Sequence, residues 1–379
     1  MSGTHLVLAE RLVTASVDLA PAMITVTGDR FASVTGLTER PQHDFAEMMP
    51  GIVVPAFFDM HTHGALGTDF GQRSTPHKLR AAIDYHASHG STRIVASVAT
   101  ASPAELVSAV EQMRPMYVEG LIDGIHLEGP YLSPERAGAH NRDLLRAPSQ
   151  AEVAHLLEMG AGAIRMITIA PELDGALPLI QWIARQGITV ALGHSNCDST
   201  TARAALDAGA TVITHLFNGM SPFHHRNSGL AGLALTDTRA IVEVIMDPWH
   251  LSPEAKRVAV CMCANRTALV SDAMQAAGLS DGVYQLAGST VHVVDGAAYL
   301  ADGSSLAGST STVSDGFAQT VLAEQMALPA AISATTHTPA RALGVDSPDI
   351  SAGSRADLVV LDAQTMRPTR VMRNGQWLT

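Results

Sequence analysis

From residue 51 to residue 274 short β-branched runs alternate with longer Ala/Leu-rich segments, and this alternation restricts the fold more than any other feature of the chain. The runs are GIVVPAFFDMH (51–61), STRIVASVA (91–99), LIDGIHLEG (121–129), AIRMITIAP (163–171), GITVALGHS (187–195), ATVITHLFN (210–218), AIVEVIMDP (240–248) and TALVSDAM (267–274). Helical segments separate them, among them PHKLRAAIDYHASHG (76–90), AEVAHLLEMG (151–160), ALPLIQWIARQG (176–187) and STTARAALDAGA (199–210), several ending in Gly as a helix C-cap does. Strand and helix in alternation predict βα units on a parallel sheet, and eight parallel strands close a barrel. The expected class is α/β, a (β/α)8 TIM barrel over residues 55–345.

The chain ends follow another pattern. HLVLAERLVT, ASVDLA and MITVTGDRFASVTG read as short strands joined by turns, and so does the tail ADLVVLDAQTMRPTRVMRNGQWL, with RNG as a hairpin turn. Residues 1–54 and 346–379 are expected to meet in one small β-sandwich domain. A hairpin-like insertion, YQLAGSTVHVVDGAAYLADGS (284–304), follows the eighth strand.

Composition narrows the function classes. A formal charge of -12 argues against a nucleic-acid surface, which needs a basic stripe. No apolar stretch approaches the ~20 residues that span a bilayer, and no signal-peptide pattern opens the chain, so a cytoplasmic protein is expected. An anionic substrate would have to be met by a few placed cations. Cys197, Cys261 and Cys263 are too few and too uneven for a disulfide framework and are expected to be buried thiols.

The chemistry lies where the strands end. In a barrel of this type the C-terminal ends of the strands form the active-site face. There stand His61 and His63 (strand one), Glu128 (three), His194 (five), His215 (six), His250 just beyond seven and Asp272 (eight). Side chains alternate along a strand, so residues two apart share a face and both imidazoles of His-x-His reach one ion. Zn²⁺ takes histidine nitrogen and carboxylate oxygen at ~2.0–2.2 Å. Six of these residues, His250 aside, exceed what one tetrahedral ion uses, whereas two ions ~3.5–4 Å apart would employ all six. Some binuclear barrels bridge their ions with a carboxylated lysine of strand four, but the only lysines are Lys78 and Lys256, both in helical segments, which leaves Glu128 as the bridge. His126, two residues earlier on the same face, is read as a packed core histidine.

This scaffold resembles the amidohydrolase superfamily. The segments HLEGPYLSPERAGAH (126–140), LGHSNCDS (192–199), THLFNGMSPFHHRNSGLAG (214–232) and VSDAM (270–274) are similar to the N-acetylglucosamine-6-phosphate deacetylase family, along essentially the whole chain. The resemblance implies that Glu128, His194 and His215 are metal ligands and Asp272 the catalytic aspartate. It further implies that His140 binds the acetamide carbonyl, that Arg226 reaches the sugar phosphate of a neighbouring subunit in a homodimer, and that His250 touches substrate. Family members that keep the histidine pair can use two metals, which His61 and His63 favour here. The implied activity is hydrolysis of N-acetyl-D-glucosamine 6-phosphate to D-glucosamine 6-phosphate and acetate, in amino-sugar and cell-wall recycling.

In that reading a divalent ion, zinc first with Fe, Co, Mn or Cd open, lowers the pKa of water toward ~7. Asp272 takes the proton and delivers it to the departing amine. Arg226 supplies a bidentate cation for phosphate, with Asn218 and with the backbone amides of Gly219 and Met220 beside it. His224 and His225 either line the pocket or sit in a solvated loop. The glycine-rich ADGSSLAGSTST (301–312), with Leu306, either contacts substrate or caps a helix. PYLSPERAGAH (130–140) carries Pro, Gly and charge and is expected to close as a lid. Two alternatives stay open: an amidohydrolase acting on another N-acyl sugar, nucleobase or cyclic amide, and a non-catalytic sugar-phosphate sensor on the same fold.

Overall fold

A computed structural model describes residues 3–39 and 47–378. Eight parallel strands form the barrel sheet: β1 (Phe58–Thr62), β2 (Arg93–Ala99), β3 (Gly124–Glu128), β4 (Ile164–Ile169), β5 (Thr189–Leu192), β6 (Val212–Ile213), β7 (Ile241–Ile245) and β8 (Thr267–Val270). They pair in chain order, and beyond β8 the Asp272 N–H donates to the His61 carbonyl at 2.9 Å, drawing last strand to first. Parallel strands covered on both faces read as continuous apolar runs, as these do. Inside the barrel Phe58, Met60, Val95, Met166, Val212, Ile245 and Val270 pack together, with Leu343 of helix His337–Leu343 at the N-terminal end.

The first apolar run is two strands rather than one. Residues Glu47–Pro55 lie at the centre of the terminal sheet, and β1 begins only at Phe58. Pro55 ends the first strand, and the Phe57 N–H is taken by the Gly90 carbonyl at 2.8 Å, so the chain passes from one sheet to the other within three residues.

The two chain ends meet as expected, within a single mixed sheet. Its order is Gln376–Trp377, Pro368–Arg373, Leu358–Leu361, Glu47–Pro55, Thr4–Val13, Ala22–Thr27, Arg30–Gly36, with Asp18–Leu19 paired to Thr4–Val13. The sheet rolls over until the far turns touch: a Cβ on Gly375 would stand 2.0 Å from the Gly28 carbonyl oxygen. The layers enclose Leu12, Ile24, Phe31, Met49, Val53, Leu358 and Met372. Asn374 and Gly375 both have positive φ (51° and 73°), the two-residue turn that RNG predicts.

The insertion after β8 has three antiparallel strands, Gly282–Leu286, Ser289–Val294 and Ala297–Leu300, one more than a hairpin. Of the three thiols Cys197 and Cys263 are buried, but Cys261 is exposed on the outer side of helix Pro253–Cys263, contrary to expectation. Burial pushes the Cys197 thiol up to about 12. Among the described residues no helix is long and apolar enough to cross a membrane.

A buried histidine behind the strand that carries His61 and His63 makes stability depend on pH. His86 lies within helix Pro76–Ser88, its Nε2 3.1 Å from both Thr62 Oγ1 and the Gly64 carbonyl, and burial pulls its pKa down to about 4. The unfolded chain binds that proton near pH 6.5 and the folded chain only near 4, so stability is full above pH 6.5 and is lost as the pH falls through this window. The loss amounts to about 3 kcal/mol at most. Urea unfolding from pH 7 to 4 should show this slope, and His86→Leu should make it shallower whatever it does to stability at pH 7, since His140, also lowered to about 4, keeps its own share.

Candidate metal centre and active site

The strand-end residues converge at the C-terminal mouth of the barrel. The Glu128 carboxylate, at the end of β3, is their common neighbour. Its Oε1 lies 3.2 Å from His194 Nε2, 3.0 Å from His215 Nε2 and 3.6 Å from His61 Nε2. Its Oε2 lies 3.2 Å from His63 Nε2 and 3.4 Å from His140 Nε2. Asp272 Oδ1 is 3.2 Å from His63 Nε2 and 3.5 Å from His61 Nε2. Two trios result, His61–His63–Glu128 and Glu128–His194–His215, each with ligand atoms within 4.8 Å of one another.

The partners behind three of the rings suit the trios to a cation. His194 Nδ1 lies 2.8 Å from the Arg136 carbonyl, His215 Nδ1 3.2 Å from the Asn218 carbonyl and His61 Nδ1 2.9 Å from Glu243 Oε2. Carbonyl and carboxylate oxygens only accept, so each Nδ1 carries a proton and Nε2 is the edge each ring turns inward, a ligand atom whenever the ring is neutral. The His194 and His215 Nε2 atoms are then 3.1 Å apart, and those of His61 and His63 3.2 Å. Four Nε2 edges so close to each other and to Glu128 need positive charge among them, which ring protons or a metal ion would supply.

The titration shifts report the same field. Burial lowers the affinity of His61 and His63 for protons, yet Glu243, Glu128 and Asp272 outweigh it at His61, which rises well above its usual value. Asp272 and Glu128 raise His63 to about 9. Burial would raise Asp272, but His61 and His63 hold it below the usual carboxylate range, so it stays ionised. Burial, aided by His194, takes His140 down to about 4 and keeps it neutral.

Three of these residues sit in strained backbone. His194 (φ 46°), His215 (φ 27°) and Asp272 (φ 48°) are all left-handed, at about 1–3 kcal/mol each. They follow the last paired residue of β5, β6 and β8, where the chain turns sharply and throws the side chain over the mouth. Gly219 (φ 58°) backs His194 so closely that a Cβ would come 2.9 Å from its Nδ1. Gly219→Ala should therefore displace His194 and weaken metal retention on dialysis, with the melting temperature measured alongside.

A cavity of about 170 Å³ opens over the cluster, lined by His63, Glu128, His140, His194, His215 and Asp272 together with Asn218, Gly219, His250 and Leu306. Leu286, Ala287 and Ser305, from the insertion and the loop that follows it, close one side. Thus His61, beside Glu128, and the anticipated residues of this lining meet at one site, whereas Met220, His224 and His225 do not line it. Arg226 likewise stays outside: it is exposed, Nη1 2.7 Å from His225 Nε2, and does not line the cavity of its own chain. His224 and His225 are exposed beside it. Asn218 Nδ2 donates to the carbonyls of His215 (3.3 Å) and Leu216 (3.2 Å), and so shapes the loop.

His126 is the core histidine anticipated, with Nδ1 3.0 Å from Ser97 Oγ and Nε2 2.8 Å from Thr168 Oγ1. Segment 130–140 is tied down at several points. The Ser133 N–H donates to the His194 carbonyl at 2.9 Å, Arg136 Nε to Asn196 Oδ1 at 3.0 Å and the Tyr131 hydroxyl to Glu152 Oε2 at 2.9 Å. A larger cleft, about 790 Å³, lies at the opposite end of the barrel. Its Arg266 and Arg341 donate to the carbonyls of Ala240 (3.0 Å), Leu235 (2.9 Å) and Asn265 (3.1 Å), and among the described residues no histidine or carboxylate lines it.

Four supporting residues escaped the sequence reading. Glu243 accepts from His61 Nδ1 and, at 3.2 Å, from the His215 N–H. Asp59 accepts from the N–H groups of His61 and Ser271, both at 3.2 Å, and burial pushes it up to about 7. Thr100 stands behind His140, and Asp247 behind His250. For Glu243 and Asp59 a signal existed: Glu243 is the one acid in the otherwise apolar strand β7, and Asp59 interrupts the apolar run that leads to His61. Glu243→Leu should weaken metal binding by about 10- to 100-fold in a chelator competition, because it frees the His61 ring. Glu243→Gln, which can keep an oxygen in place for both donors, should cost less.

Comparisons with known proteins agree with this geometry. The amidohydrolase family profile matches residues 52–378. An N-acetylgalactosamine-6-phosphate deacetylase from Escherichia coli is 34% identical over 95% of this chain and 96% of its own. An N-acetylglucosamine-6-phosphate deacetylase from Vibrio furnissii is 31% identical over 96% of this chain and 92% of its own. Among solved structures, a mutant N-acetyl-D-glucosamine-6-phosphate deacetylase from Mycobacterium smegmatis, in complex with N-acetyl-D-glucosamine-6-phosphate, superposes with a TM-score of 0.94 at 40% identity, covering 99% of both chains. The chain thus belongs to the amidohydrolase family, in the group of N-acetylglucosamine-6-phosphate deacetylases and their N-acetylgalactosamine counterpart.

Proposed function

We propose that the protein hydrolyses the acetamide of N-acetyl-D-glucosamine 6-phosphate to D-glucosamine 6-phosphate and acetate. The observation that carries this reading is the single carboxylate, Glu128, shared by two histidine pairs with Asp272 alongside, in a chain that matches such deacetylases from end to end. His61, His63, Glu128, His194, His215 and Asp272 would hold two divalent ions, zinc first, with Fe, Co, Mn and Cd as alternatives. When bound, such ions act as Lewis acids toward a carbonyl and make water more acidic.

The side chains divide the remaining work. Asp272, ionised, accepts a proton as water attacks the amide carbon and returns it to the nitrogen as the C–N bond breaks, because an amide anion is too basic to leave. His140 faces the carbonyl oxygen. The Thr100 N–H, which can only donate, points at its Nδ1 from 3.3 Å, so the ring proton sits on Nε2, on the cavity side. That N–H stabilises the negative charge that gathers on oxygen. His250, Asn218, Gly219 and Leu306 would contact the sugar phosphate.

Arg226, exposed and outside its own cavity, suits donation to a neighbour's site in a homodimer. Cytoplasmic placement follows from the substrate, since a phosphorylated sugar does not cross a bilayer unaided. We assign residues 1–54 and 346–379 to the small β domain and 55–345 to the catalytic barrel. The experiment is acetate release by the metal-loaded protein from N-acetyl-D-glucosamine 6-phosphate, its galacto epimer and the unphosphorylated sugar. The gluco phosphate should be the best substrate and the unphosphorylated sugar the worst. Faster turnover of the epimer would favour the second reading, which the Escherichia coli relative supports, and no acetate from any of the three would overturn both.

A further inference from the structure

His250 differs from every other histidine that lines the cavity. His63, His140, His194 and His215 all lie against Glu128, whereas the His250 ring is held from behind by Asp247, Nδ1 to Oδ2 at 2.7 Å. The Asp247 side chain is almost wholly buried just after β7, and its other oxygen, Oδ1, accepts from the N–H groups of Trp249 at 2.9 Å and His250 at 2.8 Å. Burial works against its charge, but the His250 imidazole and these N–H groups outweigh it, and Asp247 is held below the usual carboxylate range. Lys256, buried on helix Pro253–Cys263, adds positive potential from its side.

Each oxygen therefore has a separate task. Oδ1 fixes the turn Asp247–His250, while Oδ2 faces a ring nitrogen and can only accept from it. The Nδ1 of His250 must carry a proton, and Nε2 is the edge left for the cavity.

We propose that Asp247 is a positioning residue for substrate binding: it selects the His250 tautomer and aims the Nε2 lone pair at a hydroxyl of the bound amino-sugar phosphate. The proposal rests on the deacetylase reading given above. It separates from it in experiment, because the tautomer of His250 is measurable without turnover.

Asp247→Asn isolates the effect. The amide oxygen stays with the two backbone N–H groups, since an NH₂ there would face two donors. The NH₂ then replaces Oδ2 and donates to Nδ1, moving the ring proton to Nε2. The test compares parent and variant, both metal-loaded, by ¹⁵N spectra of histidine-labelled protein, with His250 identified by the signals lost in His250→Gln, and by KM and kcat for acetate release. The His250 ring should switch tautomer in Asp247→Asn. KM should rise about tenfold, as expected when the hydrogen bond from a substrate hydroxyl to Nε2 is lost and two donors face each other in its place, with kcat and metal content little changed. An unchanged tautomer, or a fall in kcat at constant KM, would overturn the proposal. If Asp247→Asn does not fold, Asp247→Glu decides: the parent tautomer with a raised KM supports the role, and an unchanged KM refutes it. A parent protein that releases no acetate removes the deacetylase reading, while the spectra still decide whether Asp247 sets the ring.

Discussion

Asp272→Asn is expected to lower kcat by about 10²- to 10⁴-fold, the usual loss when a general acid–base group is removed. The carboxylate lies 3.2 Å from His63 and 3.5 Å from His61, and those rings hold it ionised, so a proton acceptor is ready at neutral pH. Asparagine has nearly the same shape and keeps an oxygen toward the histidines, yet it cannot accept a proton or return one. Metal content by elemental analysis should therefore stay at the parent level, about two ions per chain, and the melting temperature should move little. Substrate should still bind. Retained activity would remove Asp272 from the proton path. Activity lost together with metal would mean that its part is ligation alone.

Glu128→Gln should fail differently. Both trios share this one carboxylate, and four imidazoles stand within 3.6 Å of its oxygens as ligands of one trio or the other. Glutamine removes the negative charge and turns an NH₂ group toward lone pairs that a cation would otherwise satisfy. Metal affinity should fall beyond the ~10- to 100-fold that loss of an outer hydrogen-bonding partner brings, and activity with it. Less than one ion per chain after dialysis is the expected reading. Two ions retained would mean that the histidines suffice and that Glu128 is no bridge. Asp272→Asn and Glu128→Gln thus form a pair, one inactive and loaded, the other inactive and empty.

How much of the site the sequence disclosed depends on the kind of residue. His61, His63, Glu128, His194, His215 and Asp272 were legible because each ends a strand, and strand ends of a parallel barrel share one face. His126 was legible as core because it lies one step deeper on the same strand. Glu243 and Asp59 were not, although each interrupts an apolar run, because nothing local tells a buried acid that orients a ligand from one that meets solvent at an edge. Cys261 was misread for the same reason: its helix has one apolar and one exposed face, and the two cysteines of CMC fall on different sides. The run 51–61 misled because β-branched residues suit either sheet, and only Pro55 and Gly90 decide where one strand stops and the next starts.

The sequence by itself determined the eightfold alternation, the joining of the two ends in one β domain, the RNG turn and the ligand types at the strand ends. These follow from periodicity and residue chemistry, which act over a few neighbours. Tertiary structure alone decided that His194, His215 and Asp272 take left-handed backbone, that Glu243 and Asp59 support the ligands from behind, and that the insertion closes one wall of the cavity. Those depend on distances between atoms far apart in the chain, and such distances are set only when the barrel closes and its core packs.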